Sequence, residues 1–301
     1  MRIGAVDVGT NSVRYLVAET SPDRPPRILE TGIETPRLGA GLRGGKLNRA
    51  AVERTLSALE SIGAALARNG VERTAAVGTE ALRRADGARE LLERARELGI
   101  EVEVVEPREE AVLAWEGAVS GLPPEAGPYL VADPGGGSTE LIRPGVAPKT
   151  WLFAGIPLGC VRLRDESGDG YAPARARARH LARRLPLELF SSPISLVGVG
   201  GTFTTLAAVK LGLETYDGAR VQGTEVFLEE IAAIGHRVAA LPLRDRKAVA
   251  GLPADRADIF PAGCAAAAAI MERGGLETAV VSDRGILHGL LLREAGGGIR
   301  N

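Results

Sequence analysis

Tyr129-Leu130-Val131-Ala132-Asp133-Pro134-Gly135-Gly136-Gly137-Ser138-Thr139-Glu140 is the stretch whose reading decides the fold. A short apolar run meets Asp-Pro-Gly, so the segment reads as a buried strand stopped by a tight turn, where glycine takes positive φ freely and lets backbone approach a ligand. Successive N–H groups in such a turn form an anion cradle, and the Ser138 and Thr139 hydroxyls add donors. Asp133 and Glu140 flank that cradle. Carboxylates beside a phosphate repel it unless a cation lies between them, so the stretch suggests phosphate together with a hard metal such as Mg²⁺. A glycine-rich hairpin carrying two surface acids is the plainer alternative.

The same order recurs near the N-terminus in Ile3-Gly4-Ala5-Val6-Asp7-Val8-Gly9-Thr10-Asn11-Ser12-Val13-Arg14: apolar strand, Asp, any residue, Gly, two small residues, Ser. Asp7, Gly9 and Ser12 match Asp133, Gly135 and Ser138, 126 residues further on. A repeat at that separation predicts two similar halves, each ending a strand in a phosphate loop, with the two loops facing across a cleft. A third glycine turn, Gly198-Val-Gly-Gly-Thr202, follows the strand pattern Ile194–Val197 and opens a helix. It offers Gly200, Gly201 and Thr202 as a helix N-terminal anion site, or simply a close strand-to-helix turn. A dinucleotide fingerprint would need glycine where Phe203 stands. That makes the dinucleotide reading weak, and a Walker loop would need glycine at Ala40 and a hydroxyl residue at Leu47, so a Walker-type NTPase is rejected.

Composition sets the outer limits. A chain of 301 residues, 45% hydrophobic and 25% charged, can bury two ordinary cores. Its net charge of −1 supplies no general field for nucleic acid or membrane, so an anionic substrate must be held by local groups. Cys160 and Cys264 lie far apart without metal-ligand spacing, which argues against a disulfide framework or zinc site and fits a reducing cytoplasm. His180, His236 and His288 have no ligand spacing either. The N-terminal apolar run is interrupted by Asp7, too short for a signal-peptide core, and no stretch reaches the roughly 18 apolar residues of a membrane span.

Along the chain, Ile3–Val6 and Val13–Ala18 read as strands, and Ile28–Thr35 as a further extended segment after a proline turn. Val52, Leu56, Leu59, Ile62 and Leu66 recur at helical spacing between a capping Asn48 and a stop at Gly70. Thr74–Val77 is a strand, Ala88–Leu98 a helix, and Val102–Val105 another strand. Pro107 suits the first turn of the next helix, where the dipole alone favours Glu109 and Glu110. The Gly and Pro load of Gly121–Pro128 marks a linker, giving domains 1–122 and 123–301, with the last helix a candidate to pack back on the first. Arg175, Arg179 and Arg183 share a face of a helix over Pro173–Arg184, either a solvated face or a track for a long polyanion. Val226–Leu241 and the Ala-rich run from Gly263 read as helices, Ala279–Ser282 as a strand, and Ile286–Glu294 as the last helix.

Asp7-Val-Gly-Thr-Asn-Ser-Val-Arg14 with Asp133-Pro-Gly-Gly-Gly-Ser-Thr-Glu140 resembles the exopolyphosphatase/guanosine pentaphosphatase (Ppx/GppA) family of the actin-like ATPase superfamily. The likeness continues through Gly78-Thr-Glu-Ala-Leu-Arg83, Pro107-Arg-Glu-Glu-Ala111, Gly159-Cys-Val-Arg-Leu163, Gly198-Val-Gly-Gly-Thr202 and Val281-Ser-Asp-Arg-Gly285. It implies an α/β fold of two actin-like (ribonuclease H-like) domains with an interdomain cleft, and a cytoplasmic exopolyphosphatase using Mg²⁺, with Mn²⁺ as the alternative. Inorganic polyphosphate would be the substrate, guanosine penta- or tetraphosphate a second one, and a homodimer the candidate assembly. The resemblance singles out Glu110 to position or deprotonate the attacking water. Asp133 and Glu140 would act with it and hold the metal, and Asp7 would hold metal-bound water. Thr10, Asn11, Ser12, Arg14, Arg83, Gly135, Gly136, Gly137, Ser138, Thr139, Gly200, Gly201 and Thr202 would bind phosphate. Val112 and His288 stand where many members carry Arg. The rivals are a guanosine pentaphosphate 5′-phosphatase, an ATP-dependent kinase of the superfamily, and a non-catalytic polyphosphate or alarmone sensor.

Overall fold

The repeat in the sequence is a repeat of strands. The computed structural model describes residues 1–21, 24–40, 46–84, 87–147, 150–191 and 193–296, so most of the Gly39–Gly45 connection lies outside the described residues. The first sheet contains β1 (Arg2–Val8), β2 (Val13–Ser21), β3 (Arg24–Glu34), β4 (Arg73–Gly78) and β5 (Val102–Val104) in the order β3-β2-β1-β4-β5. The second contains β6 (Tyr129–Pro134), β7 (Thr139–Pro144), β8 (Trp151–Ile156), β9 (Ser195–Gly198), β10 (Glu225–Phe227) and β11 (Thr278–Val281) in the order β10-β11-β9-β6-β7-β8. In both, three antiparallel strands lead and two parallel strands follow: β4 runs with β1 and β5 with β4, as β9 runs with β6 and β11 with β9. This is the ribonuclease H-like arrangement, twice, with β10 added at one edge.

Local chemistry explains the elements. Asn48 accepts from Ala50 N at 2.8 Å to start the helix Arg49–Arg68, and Gly70 at φ +62° turns the chain away after it. Val52, Leu56, Leu59, Ile62 and Leu66 face Val6, Val8 and Val17 of the sheet, and each buried side chain of this size contributes about 1.5–3 kcal/mol. In the second unit the run from Gly263 belongs to a helix, Phe260–Gly274, buried along its first twelve residues. Its alanines let the helices Tyr171–Ala182 and Leu228–Ala239 approach closely. Val226 and Phe227 belong to β10 and not to the helix expected over Val226–Leu241, as a β-branched and an aromatic residue allow.

The chain forms two compact units, Met1–Gly117 with Ile286–Asn301, and Ala118–Gly285. The last helix, Ile286–Glu294, belongs to the first because Ile286 and Leu290 pack with Ala5, Val77, Val105 and Leu113, and Leu291 packs with Ile3, Leu16 and Ala18. The change of unit therefore falls near the end of the helix Pro107–Val119, ahead of the division at 122/123 read from sequence. The Gly- and Pro-rich segment is fastened into the second unit. Gln222 Nε2 donates to Gly121 O at 3.0 Å, Arg284 Nη1 to Ser120 O at 2.8 Å, and the Tyr129 hydroxyl to Pro123 O.

The arginine-rich helix also has a structural explanation. Arg175 and Arg179 both bond Glu272 of the Ala-rich helix, the latter at 2.6 Å, and Arg177 reaches Glu166 at 2.7 Å. The Arg179 hydrogen bond, aided by Arg175, holds the Glu272 carboxyl below the usual carboxylate range. Arg175 and Arg179 thus staple two helices, which counts against a track for a polyanion along that face.

Candidate functional site

The two loops are built alike. In the first, Gly9 N donates to Ser12 O at 3.0 Å; in the second, Gly135 N donates to Ser138 O at 2.9 Å. Asp7 is the cross-strand partner of Arg14 as Asp133 is of Glu140, so the duplicated motif is a duplicated hairpin. Each loop is backed on one side. Thr10 O accepts from Gly39 N at 2.8 Å and Asn11 O from Arg37 N at 2.9 Å. Gly135 O accepts from Cys160 N at 2.9 Å, Gly136 O from Val161 N at 2.9 Å, and Gly137 O from Arg162 Nε at 2.8 Å. In a trans peptide the C=O and the following N–H point to opposite sides. The N–H groups of Asn11 and Ser12 therefore face away from the Arg37–Gly39 segment. Those of Gly136, Gly137 and Ser138 face away from the helix Cys160–Ser167, forming the cradle that an anion needs.

Close approach fixes two glycines. A Cβ at Gly159 would overlap Gly136 and Gly137, so nothing larger lets the helix Cys160–Ser167 back the loop. Gly200, at φ +72°, opens the helix Gly200–Leu211, and a Cβ there would overlap Asp133 Oδ1. The Arg256 guanidinium lies against Gly201, so an anion held at that turn would meet a cation.

The carboxylates sit in contrasting settings. Asp7 is buried, and Arg14 binds its Oδ2 through Nη2 at 2.6 Å and Nε at 3.1 Å. Asp7 Oδ1 is buried without a hydrogen-bond partner. A buried acceptor left so costs about 1–3 kcal/mol, which a cation or its bound water would relieve. At the equivalent cross-strand position the second loop carries Glu140 in place of Arg14. Two carboxylates directly opposite each other on one sheet face repel, so a cation between Asp133 and Glu140 suits that pair as well. Glu140 Oε1 accepts from Ser138 Oγ at 2.6 Å. Among the described residues no three Asp, Glu, His or Cys side chains form a ready cage, so a divalent ion here would take one or two carboxylates and complete its shell with water and substrate oxygens.

Glu110 lies in the first turn of the helix Pro107–Val119, where Arg83 Nη1 donates to its Oε2 at 2.8 Å and to Val105 O at 2.6 Å. Both side chains are mostly buried, at 15% and 11% exposure, so the pair is shielded from solvent screening. Glu109, one residue earlier, instead meets Arg293 Nη1 at 2.8 Å on the exposed face.

Four residues expected to bind phosphate have other tasks. Arg14 holds Asp7, and Arg83 holds Glu110, each by a charge-assisted bond that sequence spacing does not show. The Thr139 hydroxyl donates to Leu158 O inside the core, and the Thr202 hydroxyl donates to Pro134 O at 2.9 Å, tying the third glycine turn to the end of β6. Glu80 is buried at the start of the helix Glu80–Arg84, just beyond Gly78, which pairs with Val8, and its signal in the sequence is the acid inside Gly78-Thr-Glu80. Gly159 and Arg162 carry no local signal of their contacts with the Gly136–Gly137 turn.

Two ribonuclease H-like units, each ending its first strand in aspartate and an N–H cradle, define a protein of the actin-like superfamily. The chain belongs to the Ppx/GppA phosphatase family, whose model matches residues 16–296. It is similar to Exopolyphosphatase 2 of Mycobacterium tuberculosis, at 32% identity over 98% of this chain and 99% of that protein. It is also similar to the guanosine-5′-triphosphate,3′-diphosphate pyrophosphatase of Aeromonas hydrophila, at 30% identity over 95% of this chain but 59% of that protein. The crystal structure of the Aquifex aeolicus member of the Ppx/GppA family matches with a TM-score of 0.79 and 30% identity, covering 98% of this chain and 97% of that one.

Proposed function

We propose that this protein is an exopolyphosphatase that releases orthophosphate from the ends of inorganic polyphosphate by attack of water. The observation that carries the reading is Glu110, a shielded carboxylate aimed by Arg83. A protein that only binds polyphosphate needs an N–H cradle but no oriented base. The likeness to Exopolyphosphatase 2 over nearly the whole of both chains supports polyphosphate as the principal substrate.

Phosphoryl transfer asks a protein chiefly for placement and charge stabilisation. The N–H groups of Gly136, Gly137 and Ser138 would bind the oxygens of the terminal phosphoryl group and stabilise charge developing there. Glu110 would orient water and take its proton, while Arg83 holds the carboxylate in place. Asp133 and Glu140 would hold Mg²⁺, which when bound neutralises phosphate charge. Asp7 Oδ1 is suited to accept from bound water. No covalent intermediate is needed. No described helix is long and apolar enough to cross a membrane, and both cysteines are buried free thiols, whose burial pushes their pKa up; a cytoplasmic setting suits them.

Guanosine pentaphosphate is the second reading, supported by the likeness to the Aeromonas protein. Phosphate release from polyphosphate, guanosine pentaphosphate and ATP, measured side by side with Mg²⁺, tests both. We expect kcat/KM to fall in that order, by at least tenfold from polyphosphate to ATP. Preference for guanosine pentaphosphate would favour the second reading, and no release from any of the three would overturn both.

A further inference from the structure

The glycine loop between β6 and β7 is held from behind by two different kinds of donor. Backbone N–H groups at the start of the helix Cys160–Ser167 hold the Gly135 and Gly136 carbonyls, the second shared by Val161 N at 2.9 Å and Arg162 N at 3.2 Å. Gly137 O is held by a side chain, Arg162 Nε, at 2.8 Å. We propose that Arg162 is a positioning residue for phosphoryl binding, which fixes the Gly137–Ser138 peptide so that the Ser138 N–H faces the anion. The identity of the substrate rests on the exopolyphosphatase reading; the orientation of the peptide does not.

Peptide planarity links the two ends of this unit: with Gly137 O drawn to Arg162, the Ser138 N–H must point the other way. Gly137 has no Cβ to oppose rotation of that peptide, so sterics alone do not set its direction. The two preceding peptides are secured by main-chain donors that no side-chain substitution removes. The third depends on one guanidinium, whose planar Nε–H meets a carbonyl in a fixed geometry that an ammonium does not reproduce. Rotation at this peptide would also turn Ser138, whose Oγ bonds Glu140 Oε1 at 2.6 Å, so the cradle and the carboxylate pair are coupled through Arg162.

The test uses the full chain with inorganic phosphate as the probe for binding and tripolyphosphate as the substrate. Amide ¹H–¹⁵N shifts of Gly136, Gly137 and Ser138 are followed as phosphate is added to the wild type, Arg162→Met, Arg162→Lys and the control Arg177→Met. In the wild type all three amides should respond. In Arg162→Met, and in Arg162→Lys should the first variant fold poorly, the Ser138 response should be lost while those of Gly136 and Gly137 persist. A role confined to helix packing would not remove one amide selectively. With tripolyphosphate, kcat/KM should fall about ten- to hundredfold in both Arg162 variants and stay at wild type in Arg177→Met, since one charge-assisted hydrogen bond is lost. A wild-type Ser138 response in both Arg162 variants overturns the proposal, as does a wild type whose loop amides ignore phosphate. If the wild-type amides respond as expected but no substrate is hydrolysed, the exopolyphosphatase reading fails and the role of Arg162 stands.

Discussion

Glu110→Gln should retain polyphosphate binding and lose at least about a hundredfold in kcat, because general-base catalysis is commonly worth about 10²–10⁴-fold and an amide cannot take the proton. The competing explanation is structural. Glu110 gains about 0.3–1 kcal/mol from the helix dipole and anchors Arg83 at 2.8 Å, so its presence could be explained by stability alone. Glutamine keeps a carbonyl oxygen for Arg83, which also retains Val105 O, so the substitution should cost about 1 kcal/mol of stability. That loss leaves the protein folded at assay temperature and leaves chemistry unchanged unless the carboxylate itself reacts. Glu109→Gln is the matched control for charge in the same helical turn. It breaks only the exposed pair with Arg293, worth about 0.2–1 kcal/mol, and should keep the wild-type rate. Thermal midpoints and steady-state kinetics of the two variants separate the explanations: equal, mild rate effects would remove Glu110 from the chemistry and favour a polyphosphate sensor.

Asp133→Ala should abolish measurable turnover with the fold intact, and excess EDTA should do the same to the wild type. Asp133 is the acid at the end of β6 against which Gly200 packs, and its cross-strand partner is Glu140. In its proposed role Asp133 is a ligand of the divalent ion, so calorimetric titration with Mg²⁺ or Mn²⁺ should show weakened binding in Asp133→Ala. Full turnover of the wild type in excess EDTA would refute the metal requirement.

The fold was legible where local pattern and tertiary demand agree. Asp-x-Gly-x-x-Ser after an apolar run marked the buried strand and glycine turn that open each hairpin, because the strand needs burial and the turn needs glycine. Val52, Leu56, Leu59, Ile62 and Leu66 specified their helix because one face meets the sheet. Strands β7 and β8 were not separated from the loops around them, and the change of unit near Gly117 was displaced toward Gly121–Pro128, since Pro and Gly mark the end of a helix without showing which unit the following segment joins. Within the site, the motifs named the carboxylates and glycines, but partners set by register stayed hidden. Arg14 faces Asp7 only because β1 and β2 pair as they do, and Arg83 meets Glu110 across 27 residues. Thr139 and Thr202 looked like ligands because a hydroxyl beside glycines suits phosphate; the start of β7 and the first turn of the helix Gly200–Leu211 place them against backbone carbonyls instead. Arg162 reaches Gly137 across 25 residues, a contact that neither period nor propensity encodes.

Hydrolysis of tripolyphosphate in ¹⁸O-labelled water, followed by mass analysis of both products after a single turnover, tests the central claim that water attacks the terminal phosphorus. The account predicts one ¹⁸O in each released orthophosphate and none in the pyrophosphate left behind. Label in the pyrophosphate with unlabelled orthophosphate would place the attack on the wrong phosphorus and contradict it.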